Sequence, residues 1–170
     1  LIAKLMEGLF MLSIQISDIK DFMSHLLSKD TFDHFYFIEA SIKMGVSYQI
    51  QGRINEGFYD TSVEQTLNRE FCYWKEIRHR IFDIIKGKRL PLSCKIVLGL
   101  SKQSISYLIA HNNSSFREED IEGIYINILY DPKNLLITTG ISYKNFSLDK
   151  SLEYAFDEYL AKFLKEKAVI

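Results

Sequence analysis

The side chains best suited to catalysis or metal binding are four histidines and two cysteines, which are widely spaced along the chain. No His-x-x-x-His or Cys-x-x-Cys spacing occurs, so a metal site would need residues that are distant in sequence. Cys72 or Cys94 could act as a nucleophile with His79 as its base, but no local motif supports that arrangement. We therefore predict no catalytic residue, no metal and no cofactor, and we interpret both thiols as buried structural groups.

A basic segment in the middle of the chain is the stronger candidate for a binding site. Its cations, offset by Glu76 and Asp83, are Lys75, Arg78, Arg80, Lys86, Lys88 and Arg89. Such a segment can contact phosphates, with Tyr73, Trp74 and His79 as candidate stacking or pocket residues. The alternative is a solvated helix face, because mixed charge is common on helix surfaces and cations favour a helix C-terminus.

Composition limits the class of protein. The chain has 170 residues, a formal net charge of −1 and only two prolines, which predicts one folded domain over residues 11–170. Near-neutral charge means that contact with nucleic acid would depend on a local patch.

We expect residues 1–10 to be a leader or an added segment. No run is long and apolar enough to span a bilayer, and two cysteines without metal spacing suit a reducing compartment, so we predict a cytoplasmic protein without membrane contact.

Helical periodicity marks two amphipathic segments. The central one repeats its apolar residues at steps of three and four, at Trp74, Ile77, Ile81, Ile84 and Ile85, which predicts a buried stripe. A capping-box spacing between Thr61 and Glu64 favours a start near Ser62, and Gly87 and Pro91 favour an end near Lys86. The second segment starts near Leu148 and carries the longest apolar stripe, which must cover a sheet or a partner.

Alternating apolar and polar residues predict six strands, at 12–17, 36–44, 46–54, 94–100, 122–130 and 135–143. Two further helices are predicted to begin at Asp18 or Ser17 and at Ser101. On the second strand, Tyr36, Ile38, Ala40 and Ile42 are predicted to share one face. The order is therefore β-α-β-β twice, with the central helix between the units and a C-terminal helix after them. Hairpin-joined strands of this kind indicate an α+β fold.

Several short stretches give the chain a resemblance to a known family. They are Tyr73-Trp74-Lys75-Glu76-Ile77-Arg78, Ile85-Lys86-Gly87-Lys88, Pro91-Leu92, Thr31-Phe32-Asp33, Thr138-Thr139-Gly140 and Leu148-Asp149-Lys150. On these motifs the chain after Met11 resembles a clostridial domain-of-unknown-function family of short proteins. The resemblance implies a bacterial, cytoplasmic, single-domain protein and no assigned activity.

The order of elements also resembles one domain of a DNA sliding clamp, an analogy of topology alone. In clamps the helices of both repeats line the DNA hole with Lys and Arg. Here the first helix carries Lys20, His25 and Lys29 against Asp21, and the helix after Ser101 carries few cations. This departs from the clamp pattern, so the resemblance does not by itself imply DNA binding.

These observations predict a non-catalytic interaction domain that contacts nucleic acid or a protein through the central helix. The alternative is a small-molecule binder or an enzyme whose pocket is assembled from distant residues, with Tyr73, Glu76 and His79 at its mouth. A third hypothesis is a homo-oligomer, formed by the C-terminal helix or by exposed Phe35 and Phe37.

Overall fold

The computed structural model of the protein describes residues 12–59, 68–112 and 114–170. Within those ranges the helices and strands are β1 (Ser13–Gln15), α1 (Ile19–Leu27), β2 (Tyr36–Lys43), β3 (Ser47–Gln51), α2 (Trp74–Ile85), β4 (Ser93–Gly99), α3 (Lys102–His111), β5 (Ile121–Tyr130), β6 (Leu135–Tyr143) and α4 (Ser151–Glu166). Short 3-10 turns lie at Glu56–Phe58 and Glu118–Asp120. The segment 1–10, interpreted above as a leader or an added segment, lies outside the described residues.

The described strands form one antiparallel sheet in the order β1-β6-β5-β4-β2-β3. This confirms the predicted α+β class and the order β-α-β-β, helix, β-α-β-β, helix. The two halves are not equivalent within the sheet, however. Strand β4 pairs with β5 of its own unit and with β2 of the other, whereas β1 pairs with β6 instead of β2. The likeness to a clamp domain therefore rests on element order alone and stays a prediction.

One face of the sheet shares a core with the helices. Across four neighbouring strands, Ala40, Ile96, Ile128 and Ile137 lie in register on this face, and all are buried. Each helix adds side chains to the same cluster; the buried residues of α4 include Leu152, Phe156, Leu160, Phe163 and Leu164. Complete burial of such a side chain contributes about 1.5–3 kcal/mol. The apolar stripe of α4 therefore covers the chain's own sheet.

The surfaces suggested for a second copy are corrected by this packing. Phe35 is 1% exposed and Phe37 is not exposed at all, because both rings lie in the same core as α4. Phe35 packs edge-on against Phe163, with 5.4 Å between ring centroids. Self-association stays a prediction, but neither these rings nor the buried stripe of α4 can mediate it without opening the core.

A β-bulge in β2 changes which residues share a face. The register with β4 shifts between Phe37 and Glu39, so an additional residue is accommodated and the alternation restarts. Phe37 and Ala40 point into the core, whereas Ile38 lies on the opposite side, against Gly99. The expectation that Ile38 and Ala40 share a face is therefore wrong.

The central helix begins later than a continuous helix from Ser62 would require. Residues 68–73 are not helical: Phe71 bridges to Arg53, and Tyr73 bridges to Tyr36. The backbone of Cys72 donates to the Gly52 carbonyl at 2.9 Å and accepts from Phe37 at 2.8 Å. Helix α2 then starts at Trp74, while the predicted start near Ser62 lies outside the described residues.

No helix within the described ranges has the length and apolarity needed to cross a membrane.

Candidate functional site

Helix α2 presents one buried and one exposed side, as its apolar spacing predicts. Trp74 and Ile81 are buried on the core side. On the opposite side Lys75, His79 and Phe82 follow one another at steps of four and three, and Lys86 comes directly after the helix. With a rise of 1.5 Å per residue, this row is about 16 Å long. It is the exposed surface to which the basic segment contributes.

Trp74 does not belong to that surface. Its ring is completely buried and packs against Phe37, with 5.6 Å between ring centroids. Its indole N–H donates to the Leu26 carbonyl oxygen at 2.7 Å. The suggestion that Trp74 stacks on a ligand is therefore corrected: the residue joins α2 to the end of α1.

Arg78 also serves the joint between α1 and α2. Its Nε donates to Asp33 Oδ1 at 2.7 Å, and its terminal nitrogens donate to Asp33 Oδ2 and to the carbonyls of Leu27 and Ser28 at 3.4 Å. These carbonyls belong to the end of α1, where backbone acceptors have no partner within the helix. The side chain of Arg78 is only 12% exposed. A phosphate would have to displace Asp33 to reach it, so we remove Arg78 from the candidate contacts.

Five cations remain on the exposed side, and we call them the basic face: Lys75, Arg80, Lys86, Lys88 and Arg89. Lys86 pairs with Asp83 at 2.6 Å and lies 6.0 Å from the centre of the Phe82 ring. Within the described part of the chain, the side chains of Arg80, Lys88 and Arg89 have no ion pair or hydrogen bond. Within the described part of the protein, Asp83 and Glu76, which is next to Lys75, offset part of the positive charge of this face.

Tyr73 lies at the start of this face but is already in contact with two cations. The Arg69 guanidinium is 4.7 Å and the Lys75 ammonium 5.5 Å from the centre of its ring. Arg69 is a site residue that the sequence pattern does not identify. It also binds both oxygens of Glu76, at 2.6 and 2.9 Å, and Glu76 accepts from the backbone N–H of Tyr73 at 2.6 Å. Glu76 thus fixes the first turn of α2 and holds Arg69 over Tyr73.

We expect Glu76→Gln to lower the free energy of unfolding at pH 7, by up to about 1 kcal/mol for a partly exposed pair. The hydrogen bonds from Arg69 lower the pKa of Glu76 below its usual value of 4.5. A lowered carboxyl pKa stabilises the folded state above the unfolded-state pKa, and this contribution is lost as the pH falls through the folded-state pKa. Urea unfolding from pH 7 to pH 3 should therefore show the two proteins converging in acid. Glu158→Gln, at an exposed position on α4, is the control. A difference that persists in acid would contradict the ion-pair explanation.

The other reactive side chains are not assembled into a catalytic group within the described residues. Burial raises the pKa of Cys72 and raises that of Cys94 to about 12, so both thiols stay protonated at neutral pH. His79 is exposed on α2, whereas His25 bonds Thr31 and Lys29 at 2.8 Å, and His111 stacks on Tyr107. Within the described ranges, no group of three or more His, Cys, Asp or Glu side chains is placed to hold a metal ion.

The structure contains a cleft, but it lies away from Tyr73, Glu76 and His79, where the pocket of a small-molecule binder or enzyme was predicted. It runs between α3 and α4, has a volume of about 360 Å³, and is lined by Leu100, Gln103, Ser104, Tyr107, Leu108 and Tyr159. Tyr73, Glu76 and His79 do not line it. The sequence placed Tyr107 and Tyr159 on helices, but nothing in their local spacing indicates that these two helices pack together.

The protein is therefore an α+β protein in which the central helix and the residues directly after it carry five exposed cations beside an antiparallel sheet. The chain belongs to a family of unknown function, DUF5721, whose profile matches residues 25–170. This confirms the predicted membership of an uncharacterised family, while the clostridial origin stays a prediction. No curated protein and no solved structure matches the chain.

Proposed function

We propose that this protein is a non-catalytic binding domain that contacts nucleic acid through the basic face of α2. The observation that carries the proposal is the set of five exposed cations of the basic face, of which only Lys86 has an ion pair among the described residues. Lysine and arginine side chains at an exposed helix face contact nucleic-acid phosphates, and the release of counterions from the nucleic acid favours this binding. The distance along the helix from Lys75 to Lys86, about 16 Å, matches nearly five phosphate steps of 3.4 Å along one strand.

The surroundings of the basic face favour contact with the sugar-phosphate backbone of a nucleic acid over recognition of its base sequence. Phe82 is 39% exposed between Lys86 and His79, and the Lys86 ammonium lies 6.0 Å from the centre of its ring, so part of one aromatic ring is accessible for stacking on a base. The ring of Tyr73 is already covered by Arg69 and Lys75. We therefore expect binding that tolerates changes of base sequence and weakens strongly with salt.

We also propose that the protein acts in the bacterial cytoplasm. The cytoplasmic location is supported by the two cysteines, which are free thiols and therefore suit a reducing compartment. The alternative ligand of the basic face is a protein with an acidic surface. If the protein fails to bind nucleic acid, the search turns to such a protein partner.

The test is an anisotropy titration of labelled 20-nucleotide single- and double-stranded DNA at several salt concentrations. About four phosphate contacts predict a slope of log K against log salt of about −3.6 for duplex and about −2.8 for a single strand. Reversal of Lys75, Arg80, Lys88 and Arg89 to Glu should weaken binding at least about 100-fold and flatten the slope. All four side chains are exposed, so the far-UV circular dichroism spectrum should be unchanged.

A variant with the same change in net charge tests whether the loss of binding is specific to the basic face or follows from the overall charge of the protein. Lys20, Lys102, Lys133 and Lys165 are exposed lysines on other parts of the chain, and reversing them changes the net charge by the same amount. We expect this control to lose less than about fivefold in affinity. Equal losses in both variants would show that the basic face has no special role. No binding by the wild-type protein at low salt would overturn the proposal.

A further inference from the structure

The cleft between α3 and α4 offers a second site that is independent of the basic face. Leu100 and Leu108 supply apolar walls, and two tyrosine rings border the cleft from different helices. Its volume of about 360 Å³ falls within the range in which proteins hold small organic molecules. Its size and lining therefore suit a small molecule.

Neighbouring rings restrain both tyrosines. Tyr107 is 58% exposed, and its ring is stacked on His111 with 3.7 Å between centroids. Tyr159 lies nearly parallel to Phe156 and Phe163, at 6.2 and 6.4 Å. Burial raises the pKa of Tyr159, and nearby Tyr107 adds to the effect, as expected for two phenols that border one cleft. Restrained aromatic rings present flat surfaces at a low cost in conformational entropy.

The polar groups of the cleft are few and uncharged. Ser104 and Gln103 lie in the first turn of α3, and the hydroxyl of Ser104 is already hydrogen-bonded to that of Ser101 at 3.0 Å. The amide of Gln103 has no hydrogen bond to any described residue. Among the described residues no charged side chain lines the cleft, so a charged ligand would be desolvated without a counterion.

We propose that this cleft binds a neutral, planar aromatic small molecule, which lies against Tyr107 and Tyr159 and hydrogen-bonds to the amide of Gln103. The flat rings select a planar ligand, and the uncharged lining selects a neutral one. The amide of Gln103, the one side-chain amide in the lining, sets its orientation. This site goes beyond the nucleic-acid function proposed above and shares no residue with it. Either proposal can therefore fail without the other.

Indole is the probe for the test, because it is neutral, planar and carries one N–H donor. Titration of the isotope-labelled protein with indole, followed by amide chemical shifts, should give saturable changes that concentrate in α3 and α4. Tyr107→Ala should weaken the binding of indole at least about tenfold. Tyr48→Ala, which removes a partly exposed tyrosine from β3, is the matched control and should leave affinity within about twofold.

Indene has the shape of indole without the N–H group, and it tests the role of Gln103. The wild-type protein should bind indole more tightly than indene, and Gln103→Leu should abolish that preference while still binding indene. The proposal is overturned if indole causes no saturable changes, or if the changes map outside α3 and α4. It is equally overturned if Tyr107→Ala and Tyr48→Ala lose affinity alike. An indole preference that persists in Gln103→Leu would refute the assigned hydrogen bond.

Discussion

Alanine in place of Trp74 is expected to lower the free energy of unfolding by about 3–5 kcal/mol, the range for removal of a large aromatic side chain from a core. The ring is fully buried against Phe37, and its N–H is bonded to the Leu26 carbonyl. The substitution therefore leaves a cavity at the joint of α1 and α2 and removes a hydrogen bond. Because Trp74 is the only tryptophan of the chain, urea unfolding should be followed by far-UV circular dichroism instead of tryptophan fluorescence.

Two further variants separate the packing of Trp74 from its hydrogen bond. Trp74→Phe keeps an aromatic ring but leaves the Leu26 carbonyl without its donor, which costs about 1–3 kcal/mol at a buried position. Phe82→Ala, on the exposed side of the same helix, should cost less than about 1 kcal/mol. Similar costs for Trp74→Ala and Phe82→Ala would show that the joint between α1 and α2 does not depend on Trp74.

The burial of Trp74 could be predicted from sequence, whereas the role of Arg78 could not. Trp74 lies at the apolar spacing of α2, and a stripe of this kind is buried wherever the helix packs. Arg78 lies among similar cations, and its partner Asp33 is 45 residues away. Local pattern indicates which side of a helix is polar, but it does not indicate which polar residues meet a partner from another element. Only the tertiary contact separates Arg78 from Arg80, which has no such partner among the described residues.

The same distinction applies to the strands: pairings between strands adjacent in sequence could be predicted, whereas pairings between distant strands could not. Alternation and turn residues predict the hairpins β2-β3 and β5-β6, because both members of each pair are neighbours in sequence. The pairings of β1 with β6 and of β2 with β4 join distant segments, so hydrophobic pattern does not specify them. The bulge between Phe37 and Glu39 could not be predicted, because Tyr36, Phe37 and Ile38 are all apolar and the sequence does not show where the alternation restarts. The cleft depends on the packing of α3 against α4, which is also a long-range property.

Gly52→Ala is expected to destabilise the protein by about 3 kcal/mol or more. A Cβ at this position would overlap the Phe37 carbonyl oxygen and lie 2.6 Å from its carbon. Backbone atoms cannot avoid the overlap by rotating, in contrast to a flexible side chain. Gly52 also donates to Ile38 and accepts from Cys72, so a shift of its backbone would strain the bulge and the segment that leads into α2. Urea unfolding monitored by the fluorescence of Trp74 measures the loss.

Gly45→Ala is the matched control for this prediction. A Cβ at Gly45 would have no atom within 4 Å, and Gly45 is not among the described residues with positive φ. The same methyl group should therefore be neutral there, or stabilise by up to about 1 kcal/mol by restricting the unfolded chain. Equal effects at the two positions would mean that the contact between Gly52 and Phe37 is looser than the structure shows. A large difference would establish that close backbone approach at Gly52 fixes the segment from which α2 and its basic face begin.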